Sequence, residues 1–402
     1  MIRFTPGNAI DLLRSGREFF PSLIAAVDAA QREVWIETYI FADDAVGKQI
    51  AEVLVRAAGR GVEVRVLVDG WGAKLYLTRR LERALREGGV QLMKYRPEVA
   101  PWQFRTHRLR RLHRKVCHVD CEVAFVGGIN IIDDMHTPGH KPPRVDFAVS
   151  VEGPLLVPIM YTMQRVWAIV EIAQLRSSDV PLFPEESKGR RVGTQTAKFV
   201  IRDNLRYRSD IERAYLTAIR TAHVEIVIAT AYFFPGADFR HALMVAARRG
   251  VKVTLLLQAR VEYKLLHWAS RALYGQLLAA GVAIQEYHRS FLHAKVAVID
   301  DRWATVGSSN IDPFSFLMGR EANVFVRDPQ FADRLRLELL AMIDAGARPV
   351  PPERWAGRSR FAKALSWVAY GIVRVGMGML RYGGDEWWRG RDAWRGQSGS
   401  DT

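Results

Sequence analysis

Apolar residues recur at helical spacing between Glu18 and Ala30, at Phe19, Phe20, Leu23, Ile24 and Val27. The spacing then tightens into Val34-Trp-Ile-Glu-Thr-Tyr-Ile-Phe41, a β-rich run that predicts a strand. Val46 to Ala58 reads as a second helix, stopped at Arg60-Gly61, and Val62-Glu-Val-Arg-Val-Leu-Val68 as the next strand. Strand, helix and strand in short succession imply a right-handed crossover, with parallel strands covered on both faces. The same grammar returns later in the chain. Asp210 to Thr221 predicts a helix, Val224 to Phe234 a strand and Phe239 to Ala247 a helix, stopped at Arg249-Gly250 before the strand Val251 to Leu257. Arg60-Gly61-Val62-x-Val64 matches Arg249-Gly250-Val251-x-Val253, so the chain carries a duplicated domain and not a solenoid.

Between Arg176 and Thr196 Ser, Pro and charged residues replace the periodicity, which divides the 402 residues into a first domain (1–175), a linker (176–198) and a second domain (199–348). Pro349-Val-Pro-Pro breaks the pattern again and opens a tail, 349–402. Within the tail, Arg360 to Arg381 predicts an amphipathic helix. Lys363, Tyr370, Arg374 and Arg381 form one stripe, with Leu365, Trp367, Val368, Ile372, Val373, Met377, Met379 and Leu380 around the rest. Such a helix suits a lipid interface, and equally a berth on the protein's own core. The fold class expected is α/β: two tandem domains related by a pseudo-twofold, each a mostly parallel sheet flanked by helices, plus the tail helix.

Net charge adds a partner class. At +15 the chain attracts polyanions, either nucleic acid or an anionic membrane face. The N-terminus lacks a secretory pattern, and no stretch reaches the roughly 18 apolar residues of a membrane span, so contact with a membrane from one face is expected. Cys117 and Cys121 exclude a disulfide framework and read as buried free thiols of a reducing compartment. His118, His136 and His140 have no matching ligand at metal spacing, so no metal and no cofactor is expected.

The chemistry lies in a pattern that occurs twice, 180 residues apart. His113-x-Lys115-x4-Asp120 is followed by Gly127-Gly128-x-Asn130, and His293-x-Lys295-x4-Asp300 by Gly307-Ser308-x-Asn310. Both copies are β-patterned, so each His and Lys share one face of a strand. The turns at Gly128 and Ser308 can bring backbone N–H groups to an anion, with Asn130 and Asn310 as side-chain donors. Two lysines supply point charges to a phosphoryl group. Two imidazoles facing one phosphorus divide the work of a substitution, one as nucleophile and one as acid and base. Asp146 and Glu321, 33 and 28 residues after their respective His, are taken as the acids that orient them. Asp120 and Asp300 count with the catalytic set, although each ends a strand where a structural hydrogen bond would serve equally well.

These residues resemble the phospholipase D superfamily, over about residues 7 to 345. Ile36-Glu-Thr-Tyr-Ile-Phe41, Asp44-x-x-Gly47-Lys-Gln, Val68-Asp-Gly-Trp-Gly72, Phe125-Val-Gly-Gly-Ile-Asn130, Glu152-Gly-Pro154 and Arg208-Ser-Asp-Ile-Glu-Arg-Ala-Tyr215 are more narrowly similar to bacterial cardiolipin synthases of the B type. Gly128 departs from the Ser of many members, at a cost of one phosphate hydrogen bond. The resemblance implies metal-independent phosphatidyl transfer through a phosphohistidine, with His113 as nucleophile and His293 as acid/base. It also implies phosphatidylglycerol and cardiolipin as lipid partners, and a peripheral place on the cytoplasmic side of the bacterial inner membrane.

Pro101 to Lys115 holds Trp102, Arg105, Arg108, Arg110, Arg111 and Arg114 next to the first motif. The run reads as a solvated face or as a mouth for anionic head groups, and Lys363, Trp367 and Arg374 of the tail join it as lipid-facing candidates. Transfer between two phosphatidylglycerols, hydrolysis of the same bond and nuclease action all fit the motif. The basic, Trp-rich tail weighs against nucleic acid.

Overall fold

The computed structural model describes residues 3–97, 111–174, 180, 189–203, 207–260, 264–312, 319–357 and 359–379. Trp102, Arg105, Arg108 and Arg110 lie outside them, as does the chain after Met379.

The first half runs β1 (Thr5–Arg14), α1 (Ser15–Ala29), β2 (Glu33–Thr38), α2 (Ala45–Gly59), β3 (Glu63–Asp69), α3 (Gly70–Tyr76), α4 (Arg79–Glu87) and β4 (Gln91–Tyr95). It continues through β5 (Arg111–Leu112), β6 (Lys115–Val119), β7 (Val123–Gly127), β8 (Arg144–Val145), β9 (Phe147–Glu152) and α5 (Leu156–Ala173). The second half repeats it as β10 (Gln195–Arg202), α6 (Asp210–Arg220), β11 (Glu225–Thr230), α7 (Ala237–Arg248), β12 (Lys252–Gln258), α8 (Lys264–Ala272), α9 (Tyr274–Ala279) and β13 (Ala283–Tyr287). Then come β14 (Phe291–Leu292), β15 (Lys295–Ile299), β16 (Trp303–Gly307), β17 (Gly319–Arg327), α10 (Pro329–Gly346) and β18 (Ala347–Pro349). Two tail helices, α11 (Pro352–Ala356) and α12 (Arg360–Met379), follow.

The two halves share one sheet. Its order is β18-β13-β12-β11-β15-β16-β17-β10-β1-β9-β7-β6-β2-β3-β4, which reads alike outward from the antiparallel β1–β10 pair at the centre. Strands joined by helical crossovers pair in parallel, as β2-β3-β4 and β11-β12-β13. The motif strands are hairpins, so β6–β7 and β15–β16 are antiparallel. Each half-sheet is therefore mixed. The stretch read as a linker gives its last residues to β10, because Gln195 and Ala197 pair with β1.

One apolar cluster joins the halves, with Val149, Met163 and Trp167 from the first and Val324, Leu335 and Leu339 from the second. Two further clusters, one per half, lie under the crossover helices. Burying both faces of a sheet this way is what permits its central strands to read as nearly continuous apolar runs. Arg114, counted above with the exposed basic run, is instead buried: its guanidinium forks onto both oxygens of Glu37 and donates to the Thr162 carbonyl at 3.0 Å. Cys117 is buried, but Cys121 is exposed at the β6–β7 turn, where a turn tip has no core to enter.

The tail helix α12 packs on α8. Ser366, Ala369 and Val373 face the protein, with Lys363, Tyr370 and Arg374 half-buried beside them. Phe361, Trp367, Val368 and Ile372 point away, at 78%, 53%, 57% and 53% exposure. The polar stripe thus turns inward and the apolar side outward. No helix of the described residues is long and apolar enough to cross a membrane.

Removing one partner of the Arg114–Glu37 pair strands a buried charge. Arg114→Ala should lower stability by about 3–5 kcal/mol in a denaturant melt, and a loss under 1 kcal/mol would mean that water reaches Glu37.

Candidate active site

The two histidine strands meet where the halves exchange short parallel pairings. β5 pairs with the start of β17, and β14 with β8. The His113 amide donates to the Arg320 carbonyl at 3.0 Å, and the His293 amide to the Val145 carbonyl at 2.8 Å. Those carbonyls belong to the residues just before Glu321 and Asp146, so each acid arrives beside the imidazole of the opposite half.

This crosses the pairing expected from the sequence. His113 Nδ1 meets Glu321 Oε1 at 2.9 Å, and His293 Nδ1 meets Asp146 Oδ2 at 2.5 Å. The within-half assignment is wrong because β9 and β17 carry their acids across the central axis. With Nδ1–H donated to a carboxylate, Nε2 holds the lone pair on each ring.

Lys115 donates to the His113 carbonyl at 2.6 Å and lies over the Tyr39 ring, 5.7 Å from its centroid. Lys295 donates to the His293 carbonyl and stands 3.4 Å from Asp146 Oδ2. It also lies 2.9 Å from His293 Nδ1, but that nitrogen's proton faces the ionised Asp146, so the lysine bonds to the carboxylate and carbonyl oxygens. Burial, set against Glu321 and reinforced by Lys295, pulls the Lys115 ammonium down to about 7. Burial lowers Lys295 too. His113 is lowered by burial against the pull of Glu321, and His293 falls to about 3 through burial and Lys295. Burial works to raise Asp146, yet Lys295 and His293 hold it below the usual carboxylate range.

Several expected roles change. Asp120 and Asp300 lie at the far ends of their strands. Asp120 accepts the backbone N–H groups of Gln31, Arg32 and Glu33, and Asp300 those of His223, Val224 and Glu225. They tie the hairpins to β2 and β11 and do not reach the imidazoles. The turn amides are also unavailable to an anion, since Gly128 N–H donates to Phe147 O and Ser308 N–H to Ala322 O. The Ser308 hydroxyl donates to Glu321 Oε2, so it steadies an acid and is not a free phosphate donor. At Gly128 a Cβ would stand 2.3 Å from Asp146 Oδ1. The first half thus matches a shorter acid with a glycine, and the second a longer acid with a serine.

Asn130 uses its carbonyl end on the Ile40 amide at 3.1 Å, which leaves its NH2 for a ligand, and Asn310 is buried at the equivalent turn. Arg111 leans on Asp69 at 3.7 Å, and Arg374, half-buried, donates to the hydroxyl of Tyr370 one turn earlier on the same helix at 2.9 Å. Lys363 donates to the Ala356 carbonyl, leaving Trp367 as the lipid-facing candidate of the tail. His140 stacks on Phe291 at 4.0 Å.

Sequence reasoning passed over Asp69, Gln258 and Tyr39. Asp69 and Gln258 accept the Leu112 and Leu292 amides, each at 2.8 Å, and so fix the residue before each histidine. Tyr39 stands 5.1 Å from the His113 ring. Tyr39 and Asp69 fall inside segments quoted above for their similarity alone, and that was the available signal.

A duplicated mixed sheet with two carboxylate-held imidazoles and two lysines in one pocket defines a phosphodiester-transfer site of the phospholipase D kind. The chain matches the family described as "Cardiolipin synthase, PLD-like domain" over residues 23–137 and 215–343. It is 37% identical over 374 residues to Cardiolipin synthase B of Shigella flexneri, covering 92% of this chain and 88% of that one. Cardiolipin synthase B of Salmonella typhi is likewise 37% identical, over 378 residues and the same shares. Among solved structures, phosphatidylserine synthase of Haemophilus influenzae superposes with a TM-score of 0.68 at 13% identity, covering 94% of this chain and 96% of that one, a likeness of fold. The chain belongs to the phospholipase D-like cardiolipin synthase family.

Three outcomes follow. Asp120→Ala should lower stability by about 2–3 kcal/mol while the folded fraction keeps its turnover number, as thermal melts and active-site-normalised rates will show. Gly128→Ser should cut activity, and adding Asp146→Glu should restore part of it, giving a non-zero coupling in a double-mutant cycle. Lys115 loses its charge as pH rises through about 7. Protection by sulfate, whose own charge is constant there, should therefore weaken from pH 6 to pH 8, and Lys115→Arg should flatten that dependence.

Proposed function

We propose that the chain transfers a phosphatidyl group from one phosphatidylglycerol to a hydroxyl of another, giving cardiolipin and glycerol. The crossed His–carboxylate pairs around a two-lysine pocket are the observation that carries this reading, together with family membership.

His113 Nε2 attacks the donor phosphorus as the bond from phosphorus to the glycerol oxygen breaks. His293, protonated once the phosphate anion has entered, gives its proton to the departing alkoxide. Neutral His293 then takes the proton of the incoming hydroxyl, whose oxygen attacks phosphorus and releases His113. Glu321 and Asp146 stabilise whichever ring is cationic. Lys115, Lys295 and Asn130 serve the phosphoryl oxygens, and no metal ion is required for this step.

The partner is a bilayer rich in anionic lipid, met from one side and, in a bacterium, from the cytoplasmic face. The outward apolar side of α12 supports this: Phe361, Trp367, Val368 and Ile372 make a contiguous exposed patch of the kind that enters an interface. Between Trp102 and Arg110 the sequence adds Arg105, Arg108 and Arg110, cations of the kind that attract anionic head groups.

Purified protein with phosphatidylglycerol vesicles should yield cardiolipin and glycerol in equal amounts. Phosphatidic acid alone would mean hydrolysis, and cleaved nucleic acid without lipid turnover would overturn the reading. His113→Ala and His293→Ala should each lose about 10⁴-fold or more in rate. His293→Ala should accumulate phosphatidyl-His113 by mass spectrometry, and an adduct on His293 in the His113 variant would reverse the roles. Trp367→Glu with Ile372→Glu should weaken vesicle sedimentation about tenfold.

A further inference from the structure

We propose that Glu33, His118 and Cys121 form a binding site for a divalent cation of the zinc type, separate from the catalytic pair. One donor atom from each of the three residues lies within 4.8 Å of the others. A tetrahedral Zn²⁺ with bonds of about 2.0–2.3 Å spaces its donors about 3.5 Å apart, so closure asks for shifts of roughly an ångström. The set offers nitrogen, sulfur and carboxylate oxygen, which suits a borderline ion, and three protein ligands leave a fourth position open.

His118 gives the second observation. It is 0% exposed, and both ring nitrogens are buried with no hydrogen-bonding partner among the described residues. An unsatisfied buried polar group costs about 1–3 kcal/mol, and nothing in the fold demands it. The duplicated half is the control. β15 carries Val298 where β6 carries His118, the turn carries Asp301 where the first half has Cys121, and Glu225, the match of Glu33, is taken by Lys252 and Arg336. An apolar residue therefore serves the frame at this place, and the first half alone combines the three donors.

The surroundings suit a held ion. Trp35 Nε1–H donates to Glu33 Oε2 at 2.7 Å, which orients the carboxylate. Exposed Cys121 gives the ion a path from solvent, and its thiol proton leaves to water as the metal binds. Arg32 stands at the same end with its guanidinium on the Asp120 carbonyl, an opposing charge that the Glu33 carboxylate and the thiolate outweigh. His118 lies five residues along from His113, roughly 16 Å at the usual strand rise, so the ion does not touch the phosphoryl pocket. The sequence hid the set because Glu33 is 85 residues from His118.

The test uses the full chain, stripped with chelator, reduced, and titrated with Co²⁺ without oxygen. A near-ultraviolet thiolate-to-cobalt charge-transfer band should grow to saturation at one ion per chain and be bleached by Zn²⁺. Cys121→Ser should abolish the band, and Cys117→Ala should keep it. His118→Val, which copies the second half and should stay folded by circular dichroism, should weaken binding about tenfold or more. No band in the wild type, or an unchanged band in Cys121→Ser or His118→Val, would overturn the site. Lipid turnover in chelator should be unaffected, so this result and the catalytic reading fail independently.

Discussion

The imidazoles of His113 and His293 are each held by a carboxylate from the other half. The contacts His113–Glu321 and His293–Asp146 are short and buried, so their value depends on a geometry that neither half can hold alone. That constraint explains the rest of the architecture. A single sheet runs through both halves, the β1–β10 pair sits on its axis, and one apolar cluster draws side chains from each side. A hinge between two independent domains would let the acids drift from the rings. The two-strand pairings β5–β17 and β8–β14 then fix the final register, because each ends on the residue beside a histidine and an acid. The active site is the seam of the fold.

The seam is also an electrostatic device. Lys115 and Lys295 are both buried, and burial lowers the pKa of each, helped by Lys295 at Lys115 and by Arg144 at Lys295. Asp146 and Glu321 offset this only in part. An entering phosphodiester would supply negative charge that favours the ammonium form of both lysines and raises the affinity of the imidazoles for a proton. On the mechanism proposed above, substrate binding would thus favour the protonated histidine that the leaving group needs. Carboxylates alone would repel the phosphate. Lysines alone would keep both rings neutral.

Much of this was legible. The period of the apolar residues gave the crossover helices and the parallel strands, since burial on both faces writes itself into the sequence as β-rich runs. The repeated His-x-Lys pattern located the site and the number of its halves. The exchange of acids was not legible: spacing along the chain favours the nearer histidine, and only the crossing of β9 and β17 at the axis reverses that. Asp120 looked catalytic because it recurs in register, yet recurrence in a duplicated frame also marks what the frame itself needs, here three backbone donors at a hairpin end. The tail helix was predicted as amphipathic, but a hydrophobicity pattern does not say which side meets the protein. Ala369 and Val373 are buried, Tyr370 meets Phe234 and Lys363 the end of α11, so Phe361, Val368 and Ile372 are left outside.

Because the frame is duplicated, differences between its halves carry more information than similarities. The proposed reaction has a direction: one ring makes a bond to phosphorus and the other moves protons. A perfectly symmetric pocket could not assign those tasks. The protein breaks the symmetry at a few places that the fold leaves free. Tyr39 stands beside His113 where the second half has Ala231, Asp69 does the work of Gln258, and a glycine with a short acid answers a serine with a long one. The last exchange sets how firmly each carboxylate is held. Glu321 is steadied by a hydroxyl and faces the ring beside Tyr39, while Asp146 is shared between a ring and Lys295. A carboxylate shared with a lysine stabilises imidazolium less than one left to its histidine. This supports the roles proposed above, with His293 the readier to give its proton away and His113 the better placed to carry positive charge while bonded to phosphorus.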